Sequence, residues 1–217
     1  MTFRSLVATI GAVSVALAFS SLAAAQSVTY SGEAVVVNAN VLGIIDASIS
    51  DTGSLPSSGG SLSTSLLTFQ LPGTLDLSLL SASTNGNNNQ TNSQASVANV
   101  SLHVADIGVT AAVLTSNATS MCSSTTATAN GASTIADLKV NGLSVRVTGA
   151  PNQTIPLLVG SLVINEQVSS VNLSSSANTA SMTVNALHLR VLGIADVVIS
   201  SSQAGVSCAA GGGISPE

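Results

Sequence analysis

The chain has 217 residues, of which 6% are charged and 2% aromatic, with no Trp and a formal net charge of −5. That balance leaves few groups for acid–base, metal or stacking chemistry, and its acidic sign disfavours nucleic acid or an anionic membrane as partner. What remains is mostly Ser, Thr, Asn, Gly, Ala and aliphatic residues, the material of strands and turns.

Residues 1–25 read as a cleavable secretory signal peptide. Arg4 charges the leading segment, 6–22 is an unbroken uncharged run, and Ala23-Ala24-Ala25 offers the small residues of a cleavage site ahead of Gln26. An uncleaved membrane anchor is the alternative, against which the run is short for a span. Beyond the leader, Lys139, Arg146 and Arg190 face all nine acids of the chain. No later segment is long and apolar enough to cross a bilayer, and no C-terminal anchor is seen. The expected location is therefore secreted, periplasmic or at the cell surface.

Short β-branched runs broken by Gly, Asn, Ser and Pro predict strands at 28–41, 44–50, 65–69, 95–104, 108–114, 133–140, 143–148, 153–158, 161–165, 180–191 and 195–200. Asn141-Gly142 is the strongest hairpin signal. In 143–148 Leu143, Val145 and Val147 share one face and Arg146 takes the other. Only 75–81, opened by Thr74 and Asp76, suggests a turn or two of helix. Segments 52–61 and 84–93 read as loops, the second with a polar-ladder alternative. The expected fold is all-β: a mostly antiparallel β-sandwich with Greek-key-like connections, a single domain over 26–208 and a disordered Gly-rich tail over 209–217.

Cys122 and Cys208 are the only cysteines. In an oxidising compartment two thiols form one bridge, and neither has a neighbouring His, Cys or basic residue to suggest a reactive thiol or metal ligand.

Residues 41–50 and 191–200 agree at seven of ten positions, with Val41-Leu42-Gly43-Ile44 and Asp46 recurring as Val191-Leu192-Gly193-Ile194 and Asp196. A weaker version lies around Ala105-Asp106-Ile107-Gly108, and His103 and His188 precede Cys122 and Cys208 by 19 and 20 residues. Equivalent corners of a sandwich that need the same Gly kink and Asp bend would explain the echo. Chance repetition within a narrow alphabet is the alternative.

Candidate chemistry is sparse. A hydrolytic triad would draw on His103 or His188 with Asp106 or Asp196. There is no nucleophile elbow, however, and His-x-x-Asp on a strand sends its members to opposite faces. No His/Cys cluster fits zinc. Calcium could use Asp46 with Asp51, or with Asp106 or Asp196, although acids at bends commonly form Asx turns. Gly59-Gly60 and Gly211-Gly212-Gly213 lack the context of a phosphate loop. Asn89, Asn99, Asn117, Asn152 and Asn172 open Asn-x-Ser/Thr triplets, which matter only where a glycosylation pathway exists.

The run Ser133-Thr134-Ile135-Ala136-Asp137-Leu138-Lys139-Val140-Asn141-Gly142, then Val147 to Pro156, Val163 to Gln167, Thr183 to Leu189 and Asp196 to Ser201, resembles the bacterial choice-of-anchor P group of exported surface proteins. Tyr30-Ser31-Gly32-Glu33-Ala34 and Cys122 extend the likeness over nearly all of the chain beyond the leader. The resemblance implies a secreted or surface-displayed β-rich domain with a disulfide, and it supplies no catalytic or ligand residues. Residues 211–217 depart from it, with no sorting motif, hydrophobic tail or basic stop.

The sequence thus leads to an exported, non-enzymatic structural or adhesion-type protein of a bacterial envelope or matrix. It is expected to work by surface contact, through self-association or cell-surface partners, with no cofactor, metal or catalytic residues. A calcium-assisted adhesion module is the alternative, and a secreted hydrolase the weaker one.

Overall fold

The computed structural model describes residues 27–210. The expected signal peptide at 1–25 and the tail positions 211–217 lie outside the described residues. Thirteen strands follow one another: β1 (Val28–Val41), β2 (Ile45–Asp51), β3 (Gly60–Leu71), β4 (Leu75–Asn87), β5 (Gln90–Val104), β6 (Ile107–Cys122), β7 (Ala127–Ala136), β8 (Lys139–Val140), β9 (Leu143–Ser144), β10 (Gln153–Leu157), β11 (Gly160–Leu173), β12 (Ala177–Val191) and β13 (Ala195–Ala209). One sheet runs β10-β11-β12-β13-β1-β2 and the other β3-β4-β5-β6-β8-β9, with β7 also on β6, all antiparallel. A shared apolar core joins the sheets: Val37, Val41, Leu187, Leu189 and Ile199 from the first meet Leu75, Leu77, Leu102, Val109 and Leu114 from the second.

The all-β antiparallel sandwich agrees with the sequence reading; its connections are simpler than Greek-key crossings. The chain lays down β1–β2, crosses to build β3 through β9 as a meander, and returns for β10 through β13, where β13 pairs with β1. Within each sheet most strands pair with the strand before them through a short turn, and β8, which returns to β6 beside β7, is an exception. Asn141-Gly142 does join β8 and β9, with φ of 49° and 78°, the left-handed pair of a type I′ turn.

Several boundaries move. Segment 75–81 is strand rather than helix: Leu75 and Leu77 point inward at period two, and the pattern resumes at Leu80 after Leu79 turns to φ 51°. Segment 84–93 is the end of β4 and the start of β5, leaving only Asn88-Asn89 as a two-residue turn. The expected strand at 133–140 is split by Asp137, at φ 54°, into the end of β7 and β8. Of 143–148 only Leu143–Ser144 pairs, although Val145 and Val147 still pack on the core. Ala209, assigned to the tail from the sequence, closes β13 opposite Ala177.

One feature organises the interior. In six central strands the set of inward residues shifts by one position at the same level of the sandwich. On β13 the inward series is Ala195, Val197 and Ile199, then Ser200, Ser202, Ala204, Val206 and Cys208. On β1 it changes between Val36 and Val37, on β12 between Ala186 and Leu187, on β4 between Leu77 and Leu80, on β5 between Val97 and Val100, and on β6 between Ala111 and Leu114. Left-handed residues Ser50, Leu79, Asn99, Asn165 and Ser200 lie along this line. A residue at positive φ turns the strand, so its neighbours change face while pairing is kept on both sides.

The line divides the core by chemistry. On the hairpin side it is Leu, Ile and Val. Beyond it Ala, Ser and Thr line much of the interior beside Met182, Val184 and Val206, and hydroxyls stitch one sheet to the other. Thr91 Oγ1 donates to the Gly205 carbonyl (2.7 Å), Ser120 Oγ to Ala204 (2.9 Å) and Ser200 Oγ to Ala95 (2.9 Å). Small side chains let the sheets approach closely; at Gly32 a Cβ would collide with Thr84 and Thr91. The far end is closed by the Cys122–Cys208 bridge, which joins β6 to β13 across the sandwich with Cα atoms 5.9 Å apart.

Candidate contact surface at the hairpin tips

Two tips share one design. Val41-Leu42-Gly43-Ile44 and Val191-Leu192-Gly193-Ile194 close with Ile44 N donating to Val41 O (2.9 Å) and Ile194 N to Val191 O (3.0 Å). Their third residues, Gly43 and Gly193, hold φ of 73° and 67°. This is a type II turn, which requires a residue tolerant of positive φ at its third place. The same turn with Pro72 in the second place joins β3 to β4 at Leu71-Pro72-Gly73-Thr74. The sequence echo is therefore a repeated turn: its Gly takes the expected kink, whereas Asp46 and Asp196 lie within β2 and β13 opposite Asn40 rather than at bends.

The turn has a further effect. It throws its second residue into solvent, and here that residue is Leu. Leu42 and Leu192 are 75% and 81% exposed, and on the β10–β11 hairpin Leu158 is 101% exposed. Ile44, Ile194 and Val159 are exposed beside them. These three hairpins are adjacent in the sheet and their tips are bonded to each other: Leu42 N donates to Ile194 O (2.9 Å) and Leu192 N to Val159 O (3.0 Å). The result is one apolar row along the end of the first sheet. A concavity behind it is lined by Leu42, Leu192, Ile194, Asn40, Arg190 and Asp196.

Arg190 and Asp196 connect this row to a polar cluster on the outer face. His188, buried at 5% exposure, has Nδ1 2.7 Å from Glu166 Oε2 and Nε2 2.7 Å from Asp196 Oδ1. Arg190 lies against the same ring and 3.4 Å from Glu166 Oε1, and Asn185 Nδ2 donates to Glu166 Oε2 at 2.7 Å. Burial by itself would raise the Glu166 carboxyl; the hydrogen bonds from Asn185 and His188, with the charges of His188 and Arg190, outweigh it and hold the group below its usual range. Both ring nitrogens of His188 face carboxylate oxygens. The hydrogen-bond partners of the ring are Glu166, Asp196 and Arg190, none of them a hydroxyl.

The other sequence candidates are scattered. His103 is exposed on β5, and Asp106 sits in the β5–β6 turn with no hydrogen bond or ion pair between them. Asp46 and Asp51 stand at opposite ends of β2, about 16 Å apart by strand rise. Asp51 instead accepts from Gly53 N (2.7 Å) in an Asx turn. Asp46 and Asp196 flank Asn40 on either side of β1. Among the described residues no group of three or more His, Cys, Asp or Glu converges as a metal site, and no helix is long and apolar enough to cross a membrane.

The structure brings the sequence candidates His188 and Asp196 together, while sequence reasoning missed the tip row and the Glu166 partner of His188. The first had a signal: Leu and Ile beside a turn Gly, where polar residues are usual. The second had little, because Glu166 reaches His188 only through the register that sets Val163 opposite His188. Comparison with known protein families, curated proteins and solved structures finds no match to this chain.

Proposed function

We propose that this protein is an exported, non-enzymatic contact protein, a structural or adhesion-type component of a bacterial envelope or extracellular matrix. The observation that carries the reading is the hydrogen-bonded row of exposed aliphatic tips, Leu42, Ile44, Leu158, Val159, Leu192 and Ile194. Aliphatic groups held in water at a rigid end gain free energy when another surface covers them. The side chains best suited to reaction chemistry are engaged elsewhere: His188 between two carboxylates, the cysteines in a buried bridge. The resemblance of residues 133–208 to choice-of-anchor P proteins accords with the same role.

The test is retention. The exported chain is expected to bind octyl-agarose and isolated envelope fragments, and a Leu42→Ser, Leu158→Ser, Leu192→Ser triple variant to be retained at least tenfold less with its thermal unfolding unchanged. Equal retention of the two proteins would remove the tip row from the function.

A further inference from the structure

The open edges of the two sheets are not alike. Unpaired strand edges invite another chain, and proteins blunt them with charge, proline, brevity or cover. β2 is seven residues long and carries Asp46 and Asp51. β10 is five residues long with Pro156 inside it, and β9 has two residues. Where β11 runs past β10, the Asn152 side chain caps Gln167 at both its N–H and its carbonyl. β7 leans on the first sheet, and Gln167 Nε2 occupies its Gly131 carbonyl (3.2 Å). β3 is different. Its twelve residues, Gly60-Ser-Leu-Ser-Thr-Ser-Leu-Leu-Thr-Phe-Gln-Leu71, contain no charge and no proline, and among the described residues only β4 pairs with it.

We propose that β3 is a self-association edge on which the occupant is β3 of a second copy of this chain, antiparallel about a two-fold axis. The strand is self-complementary because it crosses the line where the inward set shifts. Leu62 and Thr64 face inward on one side of that line, Phe69 and Leu71 on the other. An axis between Leu67 and Thr68 therefore sets like face against like face: Leu66 opposite Phe69, Thr64 opposite Leu71 and Leu67 opposite Thr68 of the second copy. Leu66 and Leu67 are exposed at the centre of this pairing, and Leu79 of β4 lies exposed in register behind Leu67. The pairing satisfies backbone groups and covers all three leucines. The chain is acidic overall, yet this edge brings no like charges together. This deepens the contact reading by naming one partner, on a surface distinct from the tip row.

Sedimentation velocity on the exported chain, bridge intact, tests it. The wild type is expected to dimerise with increasing concentration. Leu67→Lys and Leu67→Glu, at an exposed position that leaves the circular dichroism unchanged, are each expected to weaken the dimer at least tenfold. An equimolar mixture of the two is expected to restore it, since the two copies of residue 67 are diagonal neighbours across the axis. A wild type that stays monomeric up to about 0.1 mM overturns the proposal, as do charge variants that dimerise like the wild type or a mixture that fails to recover. The tip triple variant is expected to dimerise normally, so failure of the edge and failure of the tip row are read separately.

Discussion

The Leu42 amide donates to the Ile194 carbonyl at 2.9 Å, binding the tip of one hairpin to the tip of the next. Two turns that are 150 residues apart in the chain are thereby held as one surface. The bond depends on Ile194 keeping its place after Gly193, whose φ is 67°. Gly193→Ala puts a Cβ in the left-handed region and is expected to cost about 1–2 kcal/mol. Urea unfolding would measure the loss. Retention on octyl-agarose is expected to fall with it although no leucine has been removed, and an Ala variant as stable as the wild type would exclude the turn geometry described.

At the opposite end, Cys122 and Cys208 close a loop of 86 residues between the two sheets. Cross-linking restricts the unfolded chain, and for a loop of this length the entropy model gives about 4–5 kcal/mol. Cys122→Ala with Cys208→Ala, or reduction of the wild type, is expected to lower stability to urea by about 2–5 kcal/mol. The tip row lies across the apolar core from the bridge, so retention by the reduced protein while still folded is expected to persist.

How much of this was legible depends on which half of the sandwich is considered. Strands near the tips alternate Leu, Val and Ile with polar residues, and β1 was placed over its full length. In the other half, 84–93 reads as a loop and 115–122 and 201–208 carry no expected strand, because Thr84, Thr91, Ser93, Ser116, Ser120 and Ser202 occupy inward positions that period-two reasoning reserves for apolar side chains. Thr91, Ser93 and Ser120 donate to carbonyls of the facing sheet, which no local window of sequence contains. β6 was accordingly ended at Leu114 instead of Cys122, and β13 at Ser200 instead of Ala209. The bridge was legible because it needed only cysteine number and compartment. The pairing of Glu166 with His188 was not, since it follows from strand register.

The buried hydroxyls make a discriminating prediction. Thr91 Oγ1 donates to Gly205 O, whereas Ser202 Oγ is buried without a protein partner. Thr91→Val keeps the shape and removes the bond, leaving the β13 carbonyl one contact short. It is expected to cost about 1–2 kcal/mol. Ser202→Ala removes a polar atom that is buried unpaired, and is expected to be neutral or stabilising. Thermal melts of the two variants, measured side by side, would check the contrast. A destabilising Ser202→Ala together with a silent Thr91→Val would contradict the stitching of the sheets.

Glu166 gives the fold an acid limit whose direction can be worked out. Burial opposes ionisation of its carboxyl, but the donors Asn185 and His188 and the positive charges of His188 and Arg190 prevail, so its folded value lies below the ordinary 4.5. A carboxyl depressed on folding stabilises the native state above its unfolded value, and that contribution is lost as pH falls through the folded value. Glu166→Gln keeps the shape and removes the charge. At neutral pH the variant is expected to melt below the wild type. Under acid the two melting curves are expected to converge, as the wild-type carboxyl takes up the proton that Gln mimics. Melting temperatures taken from pH 7 downward would check this; a gap that widened below 4.5 would mean that the carboxylate at His188 is not the stabilising form.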